Sequence, residues 1–467
     1  MIMKRKILLI STVLFFSAHS LKAQIQITKD LEYAIAKAWD KSRSLKNQHY
    51  EIEKLENQRK GVLNKYIPHL SGTVAYAYLD NDLTVDIPTK TTPILGLDLF
   101  DGKTTLNNRV QVFHAGLNAS MPLFTGLQIP YGAKAIEQKK QGNTYLIEVE
   151  KDQLIKEVIH SFDQIFLLNE AEKLITDSEH RLEKESLRVE KAIALGLAIP
   201  YDRDKIKYAT LELHSKTVEL KGKRKLLYQK IQYLTDLSVQ EIEEIQYQLE
   251  PYLLLDNSLN VENKQELKAL ESYKSALNYL LKKEKGSYFP TVGAFASLSH
   301  SSLFDFESNT SLGLGPLNKD INLKVNELTL SPNWMVGLAL KWDVFSGFER
   351  KHKVEEAKIN IAQMENTIND TKEKLGLLLQ QQYSNYEVAT EKIAIAAQLQ
   401  KVSENNLKMA IKQYQEGMIS ISERLEAENE RFKANLNKVG SLIDQRLAAI
   451  ETVISTGEIN QHLTINN

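Results

Sequence analysis

The chain has 467 residues, with 59 Lys and Arg against 60 Asp and Glu, and it contains no cysteine. The absence of cysteine excludes disulfides, thiolate zinc sites, iron–sulfur clusters and a lipid on an N-terminal cysteine. A net charge of −1 provides no basic face, so we expect no nucleic-acid partner. After residue 20 no stretch approaches about eighteen consecutive apolar residues, which excludes a protein with several membrane-spanning helices.

The first 23 residues have the pattern of an export signal. A basic segment at residues 4–6 precedes an apolar run over residues 7–18, and Ala23 suits the small residue before a cleavage site. This pattern predicts a cleaved secretory signal peptide over residues 1–23, with a retained N-terminal anchor as the alternative. We therefore expect an exported protein that is not a lipoprotein.

The remainder of the chain contains the same pattern twice. Three groups of residues recur at an offset of 221 or 222 positions. They are Tyr66-Ile67-Pro68 with Tyr288-Phe289-Pro290, Phe124-Thr125-Gly126 with Phe345-Ser346-Gly347, and Leu195-Gly196-Leu197 with Glu416-Gly417-Met418. So long a period indicates one duplicated unit rather than a solenoid. We predict repeats over residues 24–245 and 263–455, a linker over 246–262 and a short tail over 456–467.

Each repeat has the same predicted order: a charged helix, two strands around a long polar loop, and two very long helices. The strands are expected near residues 69–80, 109–124, 291–302 and 333–346. The long helices are expected near residues 128–195, 201–235, 348–415 and 421–455. Between Val354 and Leu378, seven of eight positions spaced by three and four are apolar, as in a coiled-coil seam. An ordinary helical-bundle core gives the same stripe, but helical patterns this long favour a coiled coil.

The four strand segments alternate between an apolar face and a small or polar face, most clearly over residues 334–344. Half-buried sheets of soluble proteins alternate in the same way. Four such segments in a duplicated exported chain nevertheless indicate a transmembrane β-barrel, whose long polar loops are expected at residues 80–108 and 302–331. A sheet in the bilayer must close on itself, so a chain with four strands must assemble with copies of itself. A dimer would provide eight strands and a trimer twelve.

With the prolines Pro68 and Pro290, the Phe-(Thr/Ser)-Gly corners and the motifs at residues 195–202 and 417–426, the sequence resembles the TolC family of outer-membrane efflux proteins. This resemblance implies a mainly α protein with transmembrane β, assembled as a homotrimer. A twelve-stranded β-barrel in the outer membrane of a Gram-negative cell would continue as a twelve-helix α-barrel in the periplasm. The implied partners are outer-membrane lipid, a periplasmic adaptor (membrane fusion protein) and an inner-membrane pump of RND, ABC or MFS type.

The resemblance also implies roles for residues at the two helix–helix turns. The tip residues that match adaptor contacts are Leu195, Gly196, Leu197, Gly417 and Met418. The residues that match the periplasmic gate are Asp202, Tyr414, Glu423 and Glu426. The two glutamates are three positions apart, so they share a helix face, and a threefold ring of them would raise their pKa values. The alternatives are a solvated helix start for the acids and an ordinary αα-hairpin turn for the glycines. The family often has a basic residue at the position of Ile419, and Arg424 or Arg203 is the available substitute.

The sequence carries no enzyme motif: it has no dinucleotide or Walker loop, no His-Glu-x-x-His and no Gly-x-Ser-x-Gly. Its ten histidines and seven methionines form no metal-ligand pattern. We therefore predict no catalytic residue, cofactor or metal, and a porin-like passive channel in efflux or type I secretion. The alternative function is an exported coiled-coil structural or adaptor protein that bridges envelope components without a pore.

Overall fold

The structure is a computed structural model that describes residues 25–86, 103–246, 249–254, 259–314, 317–457, 459 and 463–466. The predicted signal peptide and the middle of the first predicted loop lie outside these residues. The chain divides into two compact units, each described by itself. The tip unit comprises the described residues of Met1–Ile52, Gln141–Ser272 and Met364–Asn467, and the sheet unit comprises those of Glu53–Lys140 and Tyr273–Gln363.

Helices account for most of the described chain. They are α1 (Lys29–Lys41), α2 (Arg43–Leu63), α3 (Gln128–Ala194), α4 (Pro200–Thr235), α5 (Val239–Glu244), α6 (Gln265–Gly286), α7 (Glu349–Gln415) and α8 (Ile421–Thr456). Both α3 and α7 have 67 residues, and both α4 and α8 have 36. The ends of each pair are 221 positions apart, so the duplicated sequence forms duplicated helices.

The strands form two sheets. They are β1 (Ile25–Thr28), β2 (His69–Asp86), β3 (Lys103–Phe124), β4 (Thr291–Leu314), β5 (Leu317–Lys341) and β6 (Leu463–Asn466). The sheet unit contains a four-stranded antiparallel sheet in the order β2-β3-β4-β5. In the tip unit, β1 and β6 form a two-stranded parallel sheet.

The register of the large sheet brings all the apolar faces to one side. Leu117 of β3 lies opposite Leu298 of β4, and Leu298 lies opposite Trp334 of β5. The opposite side is small and polar, and there the Asn118 Oδ1 accepts a hydrogen bond from the Ser297 hydroxyl at 2.8 Å. The exception is Phe295, whose ring lies over Gly337 in β5, where a Cβ would come within 2.7 Å of it. A glycine is therefore what makes room for an aromatic ring on this face.

The strands extend well into the segments that we expected to be loops, while β5 ends at Lys341, before the predicted 346. Polar pairs across the strands explain the extension. Arg109 lies 3.2 Å from Asp80 and Lys324 lies 2.5 Å from Glu307, joining their respective neighbouring strands. Opposite charges paired across strands stabilise a sheet, so a polar sequence can form a strand without apolar alternation.

Two features at the ends of the chain differ from the sequence prediction. The first charged helix is divided at Ser42, whose hydroxyl accepts a hydrogen bond from the Leu45 backbone N–H at 3.2 Å. The segment expected as a short tail contains β6, which pairs with β1. Both strands have four residues, too few for alternation to distinguish them from irregular chain.

A buried polar cluster in the tip unit fixes the predicted linker to α8 and α3. The Arg446 Nε lies 3.1 Å from the Asp163 Oδ2, and the Arg446 Nη1 donates to the Glu250 carbonyl at 2.7 Å. The Gln445 Oε1 accepts a hydrogen bond from the Tyr252 backbone N–H at 3.0 Å, and the Gln445 Nε2 donates to the Tyr252 carbonyl at 2.7 Å. Burial raises the pKa of Asp163 to about 6, against the opposing charge of Arg446. The connection between the repeats is therefore held against α8 by hydrogen bonds at Glu250 and Tyr252.

None of the described helices combines the length and the apolar character needed to cross a membrane.

Candidate functional site at the helix tips

The turn between α3 and α4 is a glycine-dependent helix end. Gly196 has a φ of +73°, its N–H bonds to the Ile193 carbonyl at 3.0 Å, and the Leu197 N–H bonds to the Ala192 carbonyl at 2.8 Å. This is the Schellman motif, in which a left-handed residue satisfies the last carbonyls of a helix. Glycine adopts that conformation without a Cβ clash.

The turn between α7 and α8 has the same geometry. Gly417 has a φ of +71°, its N–H bonds to the Tyr414 carbonyl at 3.0 Å, and the Met418 N–H bonds to the Gln413 carbonyl at 2.8 Å. Two equal turns at the same offset as the helices make the tips a matched pair. Both glycines therefore lie in αα-hairpin turns, and this position is compatible with an adaptor contact.

The helices that follow the two turns begin differently. Pro200 is the first residue of α4, and the Asp202 carboxylate accepts a long hydrogen bond from the Ile199 N–H at 3.5 Å. Ser420 caps α8: its hydroxyl accepts from the Glu423 N–H at 3.3 Å, and the Glu423 Oε2 accepts from the Ser420 N–H at 2.7 Å. The second tip therefore has a full capping box.

The predicted adaptor-contact residues project into solvent. Leu195, Leu197 and Met418 are 74, 79 and 73% exposed. Nothing lies within 4 Å of the position of a Cβ at Gly196 or Gly417 among the described residues. The tips therefore present large apolar side chains without covering them within one chain.

The predicted gate acids Glu423 and Glu426 are both exposed on the first turns of α8. Hydrogen bonds from the backbone and hydroxyl of Ser420 lower the pKa of Glu423. Within one chain, capping of α8 therefore lowers the Glu423 pKa, whereas a ring of acids would raise it.

The other two predicted gate residues lie close together. Tyr414 is partly buried, and burial raises the pKa of its phenol. The charges of Glu185 and Asp202 raise the same pKa further, whereas Arg424 lowers it. The structure therefore brings Asp202 of α4, Tyr414 of α7 and Arg424 of α8 into one electrostatic neighbourhood.

A buried ion cluster joins α3 to the first two turns of α8, and of its residues only Arg424 was singled out from the sequence. The Glu428 Oε1 of α8 accepts hydrogen bonds from the Arg181 Nη2 at 2.6 Å and from the Ser178 hydroxyl at 2.9 Å, both on α3. Arg424 is 1% exposed, and its Nη2 lies 3.6 Å from the Glu428 Oε2. The Nε and Nη1 of Arg424 are buried and have no hydrogen-bond partner among the described residues.

Of the two substitutes for the basic residue absent at Ile419, Arg424 joins this cluster, whereas Arg203 pairs at 3.2 Å with its exposed neighbour Asp204. Arg181, Ser178 and Glu428 carry no motif and lie in charged helix stretches. Their only sequence signal is the spacing of Arg424 and Glu428, which puts a base and an acid on one face of α8.

The described residues contain no group of three or more His, Cys, Asp or Glu side chains that could hold a metal ion.

Comparison with known proteins agrees with this architecture. Residues 258–454 match the family described as Outer membrane efflux protein. No curated protein matches the chain in sequence. One similar solved structure is a membrane protein from Pseudomonas aeruginosa, with a TM-score of 0.71 and 14% identity over 92% of this chain and 91% of that one.

Two further structures have the same fold. CusC has a TM-score of 0.70 at 13% identity, covering 93% of both chains. The CmeC outer membrane channel of Campylobacter jejuni has a TM-score of 0.68 at 12% identity, covering 92% of this chain and 86% of that one. At identities this low the similarity shows a shared fold. The coverage of this chain shows that the shared fold includes both repeats.

The chain has the fold of solved outer-membrane channel structures, in agreement with the predicted resemblance to the TolC family. The match to the outer membrane efflux protein family covers residues 258–454, which lie in the second repeat and the end of the segment before it. The solved structures with this fold include several outer-membrane channels.

Proposed function

We propose that this protein is the outer-membrane channel of a tripartite efflux or type I secretion system. It provides a passive conduit from a periplasmic adaptor and an inner-membrane pump to the cell exterior. The observation that carries this proposal is the exposed apolar face of the four-stranded sheet. On that face Val74, Leu338 and Trp334 are 74, 72 and 71% exposed. Soluble proteins rarely leave so large an apolar patch open, whereas lipid covers it in a transmembrane barrel.

The two edges of the sheet support a homotrimer. β2 and β5 are the edge strands, and in hydrocarbon their outer backbone groups would lack partners. Because neighbouring strands alternate in direction, β5 of one copy can pair antiparallel with β2 of the next. Three copies then close a twelve-stranded barrel, and cyclic symmetry removes every edge.

Exposed stripes on the long helices of the tip unit support the same assembly. On α4 the exposed apolar residues include Tyr208, Leu211 and Val218, and on α7 they include Ile395, Val402 and Met409. The spacings of three and seven between these residues are those of coiled-coil seams, which require a facing helix. Neighbouring copies would provide that helix in a twelve-helix α-barrel.

The tips take the roles that the resemblance implies. Leu195, Leu197 and Met418, held by the turns at Gly196 and Gly417, would contact the adaptor. Asp202, Tyr414, Glu423 and Glu426 would form the closed periplasmic end. Export by a cleaved signal peptide, with no lipid anchor, would deliver the protein to the outer membrane.

Conductance across planar bilayers tests the proposal, with two variants that place the same charge on opposite faces of β5. Leu338→Lys puts a cation on the apolar face, where it costs about 2–4 kcal/mol at mid-membrane, and should abolish insertion and conductance. Ala339→Lys puts it on the small and polar face and should still insert. A purified protein that is monomeric, soluble in the periplasm and without conductance would instead support the non-pore coiled-coil alternative.

A further inference from the structure

The internal duplication predicts which residues of two copies meet, because the chain contains one complete example of the junction between repeats. In that junction β3 of the first repeat pairs with β4 of the second. Moved by one repeat, β3 becomes β5 and β4 becomes β2, which are the two edge strands. The junction that would follow β5 therefore requires β2 of a second copy.

The register of the internal junction can be transferred with the offsets found in the sequence. Leu117 lies opposite Leu298, and Asn118 lies opposite Ser297. Adding 221 to the first residue of each pair and subtracting 222 from the second places Leu338 opposite Tyr76, and Ala339 opposite Ala75. This register keeps Leu338 and Tyr76 on the apolar face and the two alanines on the small and polar face. A slip by one residue would reverse the faces.

The corner below the strands shows the same asymmetry. Gly126 is buried, and a Cβ there would overlap the carbonyl of Gly286 at the end of α6. Its equivalent Gly347 is exposed, with nothing within 4 Å of the position of a Cβ among the described residues. The position equivalent to Gly286 is Asn64, directly after α2. The second corner has therefore kept the glycine and the conformation, with a φ of +59°, but lacks the helix end that covers the first.

The adjacent helix positions differ in a complementary way. A Cβ at Gly132 of α3 would contact Val62 of its own repeat at 3.6 Å and Lys283 of the other repeat at 3.9 Å. The equivalent Lys353 of α7 pairs with Glu349 at 2.6 Å, which raises the pKa of the Lys353 ammonium, and the charge of Glu284 in its own repeat raises it further. The position equivalent to Lys283 is Gly61, which has open space around it among the described residues. Within the chain Gly132 faces Lys283, and between two copies the equivalent positions would place Lys353 against Gly61. The small and the large residue exchange places, so the combined side-chain volume is the same.

We infer that β5 of one copy pairs with β2 of a second copy with Leu338 opposite Tyr76 and Ala339 opposite Ala75. In the same contact the corner at Gly347 and Lys353 lies on the end of α2 at Gly61 and Asn64. The inference rests on the proposed assembly and specifies its register. The partner is another copy of this chain, because the contact requires both the edge strand β2 and the end of α2 that precedes it.

Disulfide trapping tests the register in a chain that has no cysteine of its own. Ala75→Cys with Ala339→Cys should give covalently closed oligomers on denaturing gels after mild oxidation. A disulfide needs Cβ atoms about 3.5–4.5 Å apart. Directly opposed residues, at about 4.5–5.5 Å, reach this distance with a small shift of the strands, whereas diagonal residues at about 7–8 Å do not. Ala77→Cys with Ala339→Cys, displaced by two residues, should therefore remain monomeric on the gel, as should each single variant.

Asn118→Cys with Ser297→Cys is the internal control, because it should form its bond within one chain and leave the mass unchanged. Gly61→Cys with Lys353→Cys, joined by a short bismaleimide, tests the corner independently of strand geometry. Here Gly61→Cys with Glu355→Cys is the control, since residue 355 lies on another face of α7.

Equal trapping by the displaced and directly opposed strand pairs would overturn the inferred register. Failure of both the Ala75–Ala339 disulfide and the Gly61–Lys353 cross-link, in protein that is oligomeric by native mass and conducts, would overturn the register but leave the channel proposal standing. If the unmodified protein were monomeric and did not conduct, both would fall.

Discussion

Glu428 of α8 accepts hydrogen bonds from Arg181 of α3 in a site that is buried on the α8 side, with the Glu428 side chain 8% exposed. The same carboxylate faces Arg424, so one acid balances two guanidinium groups. The cluster connects α8 to α3 through the contacts of Glu428 with Ser178 and Arg181. Its members belong to different repeats, so it joins the two hairpins.

Removing the Glu428 charge should therefore loosen the tip end of the helix bundle. We expect Glu428→Gln to lower stability by about 2–3 kcal/mol, because it removes the nearest counter-ion of the buried Arg424 and leaves only the weaker attraction of Glu185. Thermal unfolding followed by circular dichroism measures the effect. Lys173→Gln, which breaks the exposed pair of Lys173 with Glu170, is the matched control and should cost about 0–1 kcal/mol. Equal effects of the two substitutions would show that the cluster does not join the hairpins.

Much of this molecule could be read from its sequence because it follows local rules repeated twice. The turn glycines required a left-handed φ, and the apolar seams required long helices, so α3 and α7 begin and end within one residue of the predicted positions. Alternation placed each strand but gave no information on which strands pair. The cluster of Arg181 and Glu428 was not predictable, because in the sequence a buried ion pair looks the same as a solvated charge.

The extent of the strands was missed for a related reason. Alternation marks only the part of a strand that has one apolar face, and beyond Asp80 and Leu303 both faces of the hairpins are largely polar. There, pairs such as Thr84 with Thr105, at 3.3 Å between hydroxyl oxygens, hold the ladder. Such pairs become visible only when the register is known.

The tip glycines predict a contrast between two substitutions of the same kind. Gly417→Ala should destabilise the turn by about 1–2 kcal/mol, because its φ of +71° strains any residue with a Cβ. Gly440→Ala, inside α8 with open space around its Cβ position, should instead stabilise the protein by about 0.4–1 kcal/mol. Thermal unfolding of the two variants measures both signs. A stabilising Gly417→Ala would mean that the turn relaxes to another conformation.

Asp152 of α3 predicts a pH dependence that lies away from the tips. Its side chain is buried, and desolvation raises its pKa to about 7, with Lys264 opposing and Glu148 and Glu266 adding to the rise. Because the folded pKa lies above the unfolded value of 3.8, the folded chain holds this proton more tightly. Stability should therefore fall as the pH rises from about 4 to about 7 and then level off.

Asp152→Asn removes the titrating group and should remove that part of the pH dependence. At pH 8 we expect this variant to exceed the unmodified protein in stability by about 2–4 kcal/mol, and at pH 4 to match it. Unfolding midpoints at both pH values provide the measurement. Asp177→Asn, at an exposed position of the same helix, is the control. A variant that keeps the full slope would show that another group titrates.

The gate acids predict an effect on ion selectivity that can be separated from their effect on folding. Glutamine can replace glutamate in a capping box, so Glu423→Gln with Glu426→Gln removes two charges per copy while preserving the start of α8. If these acids line the closed end, the reversal potential in a salt gradient across a planar bilayer should shift away from cation preference. Ser420→Ala weakens the cap and keeps both charges at neutral pH, so it should leave the reversal potential at pH 7 unchanged.

The position of Glu423 also predicts how the preference depends on pH. Its hydrogen bonds with Ser420 hold its pKa below the ordinary glutamate range, so it stays charged when free carboxylates are already protonated. Cation preference should therefore persist in mildly acidic solution. In Ser420→Ala, which lacks the hydroxyl hydrogen bond to Glu423, the preference should be lost at a higher pH than in the unmodified protein. An unchanged reversal potential in the double glutamine variant would place the acids on a solvated helix start away from the pore.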